Sequence, residues 1–78
     1  MIFVIEYDRS AGRLVKMRTF SNSQRSIALE VRLAREIALQ RLRKRHEVVV
    51  LEAASEEDLR ATHRRYFEDV GSLTRAAS

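Results

Sequence analysis

The chain has 78 residues, a third of them charged, a net charge of +4, no cysteine, no proline and two glycines. That length makes one small domain, able to bury only about 60% of the surface its unfolded chain exposes. Without cysteine it has neither a disulfide nor a thiolate metal site to brace it, and an apolar content of 45% argues against disorder.

Residues 2–7, IFVIEY, are β-branched and aromatic and predict a first strand. The run is too short to span a bilayer, and no basic stretch precedes it as in a signal peptide. A soluble, cytoplasmic protein without membrane contact is therefore expected. A turn at DRSAG, with Gly12 suited to a left-handed position, leads to a second strand over 14–20. A three-residue loop, Ser10 to Gly12, pairs Tyr7 with Val15, Glu6 with Lys16 and Ile5 with Met17. One face then carries Phe3, Ile5, Tyr7, Val15 and Met17, and the other Ile2, Val4, Glu6, Lys16 and Arg18.

Ser21, Asn22 or Ser23 caps a long first helix, predicted over 22–45 because no proline or glycine interrupts it. At 100° per residue, Ile27, Val31, Ala34, Ala38 and Leu42 form a stripe expected to lie on the sheet. Some 23 helical residues reach roughly 35 Å, whereas six-residue strands reach roughly 20 Å, so the helix should overhang the sheet. EVVVLEA, residues 47–53, predicts a third strand. Ser55 with Asp58 forms an S-x-x-D cap for a second helix over 56–69, which Gly71 terminates, leaving 72–78 as a frayed tail. The expected fold is a single α+β domain over 1–78: ββαβα, a three-stranded antiparallel sheet in order 2-1-3, both helices on one face.

Two patterns bear on function. Leu29, Leu33 and Ile37, four apart, form a second apolar row on the first helix, beyond what one sheet covers. They are the candidate partner-binding residues. Strands one and three are apolar on both faces, which adds to the expectation of a homodimer or protein partner.

Charge is the second pattern. Residues 21–46 carry seven basic and two acidic groups, and residues 47–78 four basic and seven acidic. Arg25, Arg32, Arg41, Arg43 and Lys44 are the candidate phosphate contacts of an alternative reading, a small basic nucleic-acid-binding protein. Cations in a last turn also complement the helix dipole without any ligand. No H-E-x-x-H, glycine-rich phosphate loop or converging ligand set is present, so no metal or cofactor is expected. A third reading places an enzyme at His63 and Tyr66, on the apolar side of the second helix. A histidine there is more simply a packed side chain with its tip hydrogen-bonded. The expected function is non-catalytic association with another protein, most simply a second copy.

Overall fold

A computed structural model describes residues 1–68. Strands β1 (Ile2–Asp8), β2 (Arg13–Phe20) and β3 (His46–Glu52) form one sheet in order β2-β1-β3, with both pairings antiparallel. Helices α1 (Arg25–Arg41) and α2 (Glu56–Thr62) complete the expected ββαβα α+β arrangement. Short 3₁₀ turns over Asn22–Gln24 and Arg64–Tyr66 precede α1 and follow α2. The expected helix stop at Gly71 and the tail at 72–78 lie outside the described residues.

The two helices do not share a face. Ala28, Val31 and Leu39 of α1 pack on Ile2, Val4, Phe20 and Val48. Leu59 and Tyr66 pack on the opposite side, on Phe3 and Ile5, with Leu14, Met17 and Leu51 around them. The cause lies in β1, whose alternating side chains are apolar on both sides and buried from Ile2 to Glu6. A central strand of that kind needs both faces covered, and α2 covers the one that α1 leaves. Fully burying a side chain such as Phe3 or Ile5 contributes about 1.5–3 kcal/mol, so leaving one face bare would be prohibitive for so small a domain. The two-faced sheet is satisfied within one chain and makes no demand for a partner.

The β1–β2 hairpin also departs from expectation. Its loop has four residues, 9–12, and Asp8 pairs with Arg13 and Tyr7 with Leu14. Glu6 still pairs with Lys16 and Ile5 with Met17, because a bulge between Glu6 and Tyr7 on the β1 side absorbs one residue of β2. Val15 is that residue, and it is exposed. The bulge puts Leu14 on the core face in place of the expected Val15, while Phe3, Ile5, Tyr7 and Met17 keep the expected side. Asp8 shapes the turn: its carboxylate accepts the amides of Ser10 and Ala11 at 2.9 and 3.0 Å, and its carbonyl accepts Gly12 N–H at 2.8 Å. Gly12 adopts φ 67°, the left-handed conformation glycine takes without penalty.

Helix α1 is rotated and shorter than expected. Ala28, Val31, Arg35 and Leu39 face the sheet, while Ile27, Ala34 and Leu42 are exposed. The stripe through Ile27 and Leu42 was displaced because Arg35, a charged residue, takes a sheet-facing position to reach Glu6. Seventeen residues give α1 a length of about 25 Å, close to the roughly 23 Å of a seven-residue strand. The predicted overhang is absent.

The helix ends with Arg43 N–H on the Gln40 carbonyl and Lys44 N–H on the Leu39 carbonyl, both at 3.1 Å. This pattern puts the residue after the cap in a left-handed conformation, and Arg43 takes it with φ 54°. A non-glycine residue there costs about 1 kcal/mol. Arg43→Gly is therefore expected to raise stability by about 0.5–1 kcal/mol, read from urea midpoints. A lower midpoint in the variant would contradict this ending of the helix.

Helix α2 opens as expected, with Ser55 Oγ accepting Asp58 N–H at 3.1 Å. It stops at Thr62 rather than running to 69. His63 (φ −122°, ψ 51°) leaves the helical conformation and starts the following 3₁₀ turn.

Candidate functional site

The apolar row on α1 stands clear of both core clusters. Leu29, Leu33 and Ile37 are exposed, Leu33 by 58%. They do not reach α2, which lies beyond the sheet. Seven large apolar side chains are exposed among the described residues, and five belong to α1 or its cap: Ile27, Leu29, Leu33, Ile37 and Leu42. The other two, Met1 and Val15, are scattered. That concentration on one helix is what separates a patch from ordinary surface.

The five candidate phosphate contacts divide into two groups. Arg25 is engaged by Glu52, and Arg32 Nε donates to Glu36 Oε1 at 3.1 Å. Arg41, Arg43 and Lys44 have no ion pair among the described residues. Two cations outside that set join them. Antiparallel pairing brings the end of β1 beside the start of β3, where Arg9 N–H meets the Arg45 carbonyl at 3.4 Å. Arg9 and Arg45 thus stand at the α1 C-terminal end of the molecule, beside an open cleft of about 960 Å³.

Between the sheet and α1 lies a charged cluster that sequence reasoning missed. Glu6 is 3% exposed. Its Oε1 accepts Arg35 Nε at 2.5 Å, and its Oε2 lies 2.6 Å from His46 Nδ1. On the other side of the same ring, His46 Nε2 lies 3.6 Å from Asp8 Oδ2. The Arg35 hydrogen bond holds the Glu6 carboxyl below its ordinary value; burial opposes this and His46 adds to it. The Ala11 amide does the same for Asp8, against burial and helped by Ser10. His46 opens β3 opposite Asp8. The ring is thus held between two carboxylates of β1, hydrogen-bonded to Glu6 and facing Asp8. The cluster works as a strut tying α1 and β3 to β1.

The residues of the enzymatic reading fall at the break after α2. His63 is half-buried, and no side-chain hydrogen bond to it is found among the described residues. Tyr66 is buried; its hydroxyl donates to Glu47 Oε1 at 3.1 Å, and its ring meets Tyr7 edge-on with centroids 5.4 Å apart. Burial, reinforced by Glu47, pushes the Tyr66 hydroxyl above its ordinary value. Glu56, Glu57 and Asp58 are exposed in the first turn of α2. No orienting acid is therefore placed at His63 among the described residues.

Among the described residues, no three acids or histidines are grouped so as to hold a metal ion, and no helix is long and apolar enough to cross a membrane. Compared with protein-family models, curated proteins and solved structures, the chain matches none.

Proposed function

We propose that this protein is a non-catalytic association module that pairs α1 with α1 of a second copy. The observation that carries the reading is the concentration of exposed apolar side chains on α1, above all Leu29, Leu33 and Ile37. A protein partner covering that row removes its apolar surface from water at about 25 cal/mol per Å².

A second copy fits the row because the row is self-complementary. Packing two α1 helices antiparallel about Leu33 sets Leu29 of one copy against Ile37 of the other. Arg32 and Glu36 lie together on one flank, and two-fold symmetry brings Glu36 of each copy within a turn of Arg32 of the other. The pair already formed within each helix would extend across the interface as a small network, so the edges of the contact carry matching charge.

The test is native mass by sedimentation, at high and low protein concentration and at low and high salt. A dimer that persists in high salt is expected, because apolar burial is not screened. Leu33→Glu should sediment as a monomer with an unchanged circular dichroism spectrum, since Leu33 is exposed within one chain and a carboxylate there costs the monomer little. A monomeric parent at high concentration, or a variant that keeps the dimer mass, would overturn the reading.

A further inference from the structure

We propose that the α1 C-terminal end of the molecule, with the β1–β2 loop, binds the phosphodiester backbone of a nucleic-acid duplex. The site is not the run of arginines along the helix. It is the pole where that helix ends and three separate segments meet: the end of α1, the loop after β1 and the entry to β3.

Five cations gather there, namely Arg9, Arg41, Arg43, Lys44 and Arg45, with no ion pair among the described residues. The neighbouring acids are already occupied. Glu36 is taken by Arg32, Glu47 by Arg65 and Tyr66, and Asp8 by two loop amides and His46. Glu36 and Glu47 are each matched by an arginine outside the group, so only Asp8, whose amide hydrogen bonds leave its charge in place, offsets the five cations. The pole stays strongly positive, the condition for attracting a polyanion. Complementing the helix dipole accounts for cations in the last turn of α1, but not for Arg9, which comes from a hairpin loop. Nor does it account for an arginine at φ 54°, where glycine would relieve strain.

Shape and lining select among polyanions. The cleft beside Lys44 and Arg45 is concave and edged by Ser10 and Gln40, which supply hydrogen bonds. A concave polar cleft receives a protruding phosphate ridge and does not lie flush on a flat lipid surface. No Phe, Tyr or Trp lines it, and its one ring, His46, is held between Glu6 and Asp8, so unstacked bases of a single strand would find little platform. A duplex, whose phosphates face outward at close and regular spacing, fits what remains.

The experiment is a titration of the full-length protein against a short double-stranded DNA, a double-stranded RNA, oligo-dT and phosphatidylserine vesicles, each at several salt concentrations. Five phosphate contacts predict a slope of log K against log salt of about −4 to −5, or roughly a 500-fold loss between 50 and 200 mM salt. Replacing Arg9, Lys44 and Arg45 by glutamine should flatten the slope to about −2, whereas replacing Arg25, which Glu52 engages at the other end of α1, should leave it unchanged. Binding to either duplex with this pattern supports the proposal. No binding at low salt, binding to oligo-dT or vesicles alone, or equal effects of the two sets of changes would overturn it. The Leu33→Glu protein keeps the whole pole, so it should still bind duplex with the monomer's salt slope. Its behaviour separates failure of this site from failure of the α1 pairing.

Discussion

Replacing Glu6 with glutamine is expected to lower the unfolding free energy by about 2–3 kcal/mol. Removing one partner of a buried pair typically costs about 3–5 kcal/mol, and the smaller figure applies because Arg35 is 42% exposed and regains water when released. The loss is large against the roughly 4–12 kcal/mol that a chain of this length commands in total. Urea unfolding in the Leu33→Glu background would measure it without a contribution from dimer dissociation. Arg35→Ala should cost less in the Glu6→Gln protein than in the parent, since both changes break the same contact. Additive costs would mean that Arg35 and Glu6 are not coupled.

The same carboxylate sets an acid limit. Its folded pKa lies below the ordinary 4.5, so the folded state binds its proton less readily than the unfolded chain. The stability it contributes is full above about pH 4.5 and is lost as pH falls through the depressed folded value. Glu6→Gln should flatten this part of the stability–pH curve. A residual slope starting at lower pH is expected from Asp8, which is also depressed, from an ordinary 3.8.

Leu59→Ala should be at least as damaging, at about 3 kcal/mol within the usual range of about 2–5 for such a deletion. Leu59 is fully buried and is the one buried residue of α2. It anchors that helix on Phe3 and Ile5 across the face that α1 does not reach. Loosening it should uncover the sheet and open residues 53–62 to limited proteolysis before the rest of the chain. A loss below about 1 kcal/mol, far short of a normal core truncation, would mean that α2 contributes little to the fold.

Element order, sheet order and most of the hairpin pairing were legible because they rest on local signals. IFVIEY and EVVVLE carry β-branched runs, DRSAG carries turn chemistry, and Ser55 with Asp58 announces a cap. What stayed hidden depends on residues far apart. Apolar residues on both faces of β1 are met equally by a partner or by the chain's own second helix, and periodicity does not distinguish the two. The rotation of α1 comes from Arg35 reaching Glu6, 29 positions away, which no helical pattern records. The end of α1 was missed because its left-handed residue is an arginine. One signal for the Glu6–His46 cluster was available: Glu6 and Asp8 share a face of β1, and sheet order 2-1-3 brings the start of β3 beside Asp8. His63 drew attention instead because its apolar neighbours followed helical spacing, and the helix ends just before it.

The central position of β1 has a consequence for the order in which the molecule can assemble. It is the first strand of the chain, yet its second edge is closed only by β3, in pairs running from Ile2 with Glu52 to Asp8 with His46. The β1–β2 hairpin can form early, but as a two-stranded ribbon it is marginal in water. Until β3 is synthesised and returns, the most apolar strand keeps an open row of amides and carbonyls, a template for another chain's strand. Closing that edge draws together distant parts of the chain, so folding is expected in milliseconds or slower rather than microseconds. Nascent chains stalled before residue 46 should be the ones that aggregate.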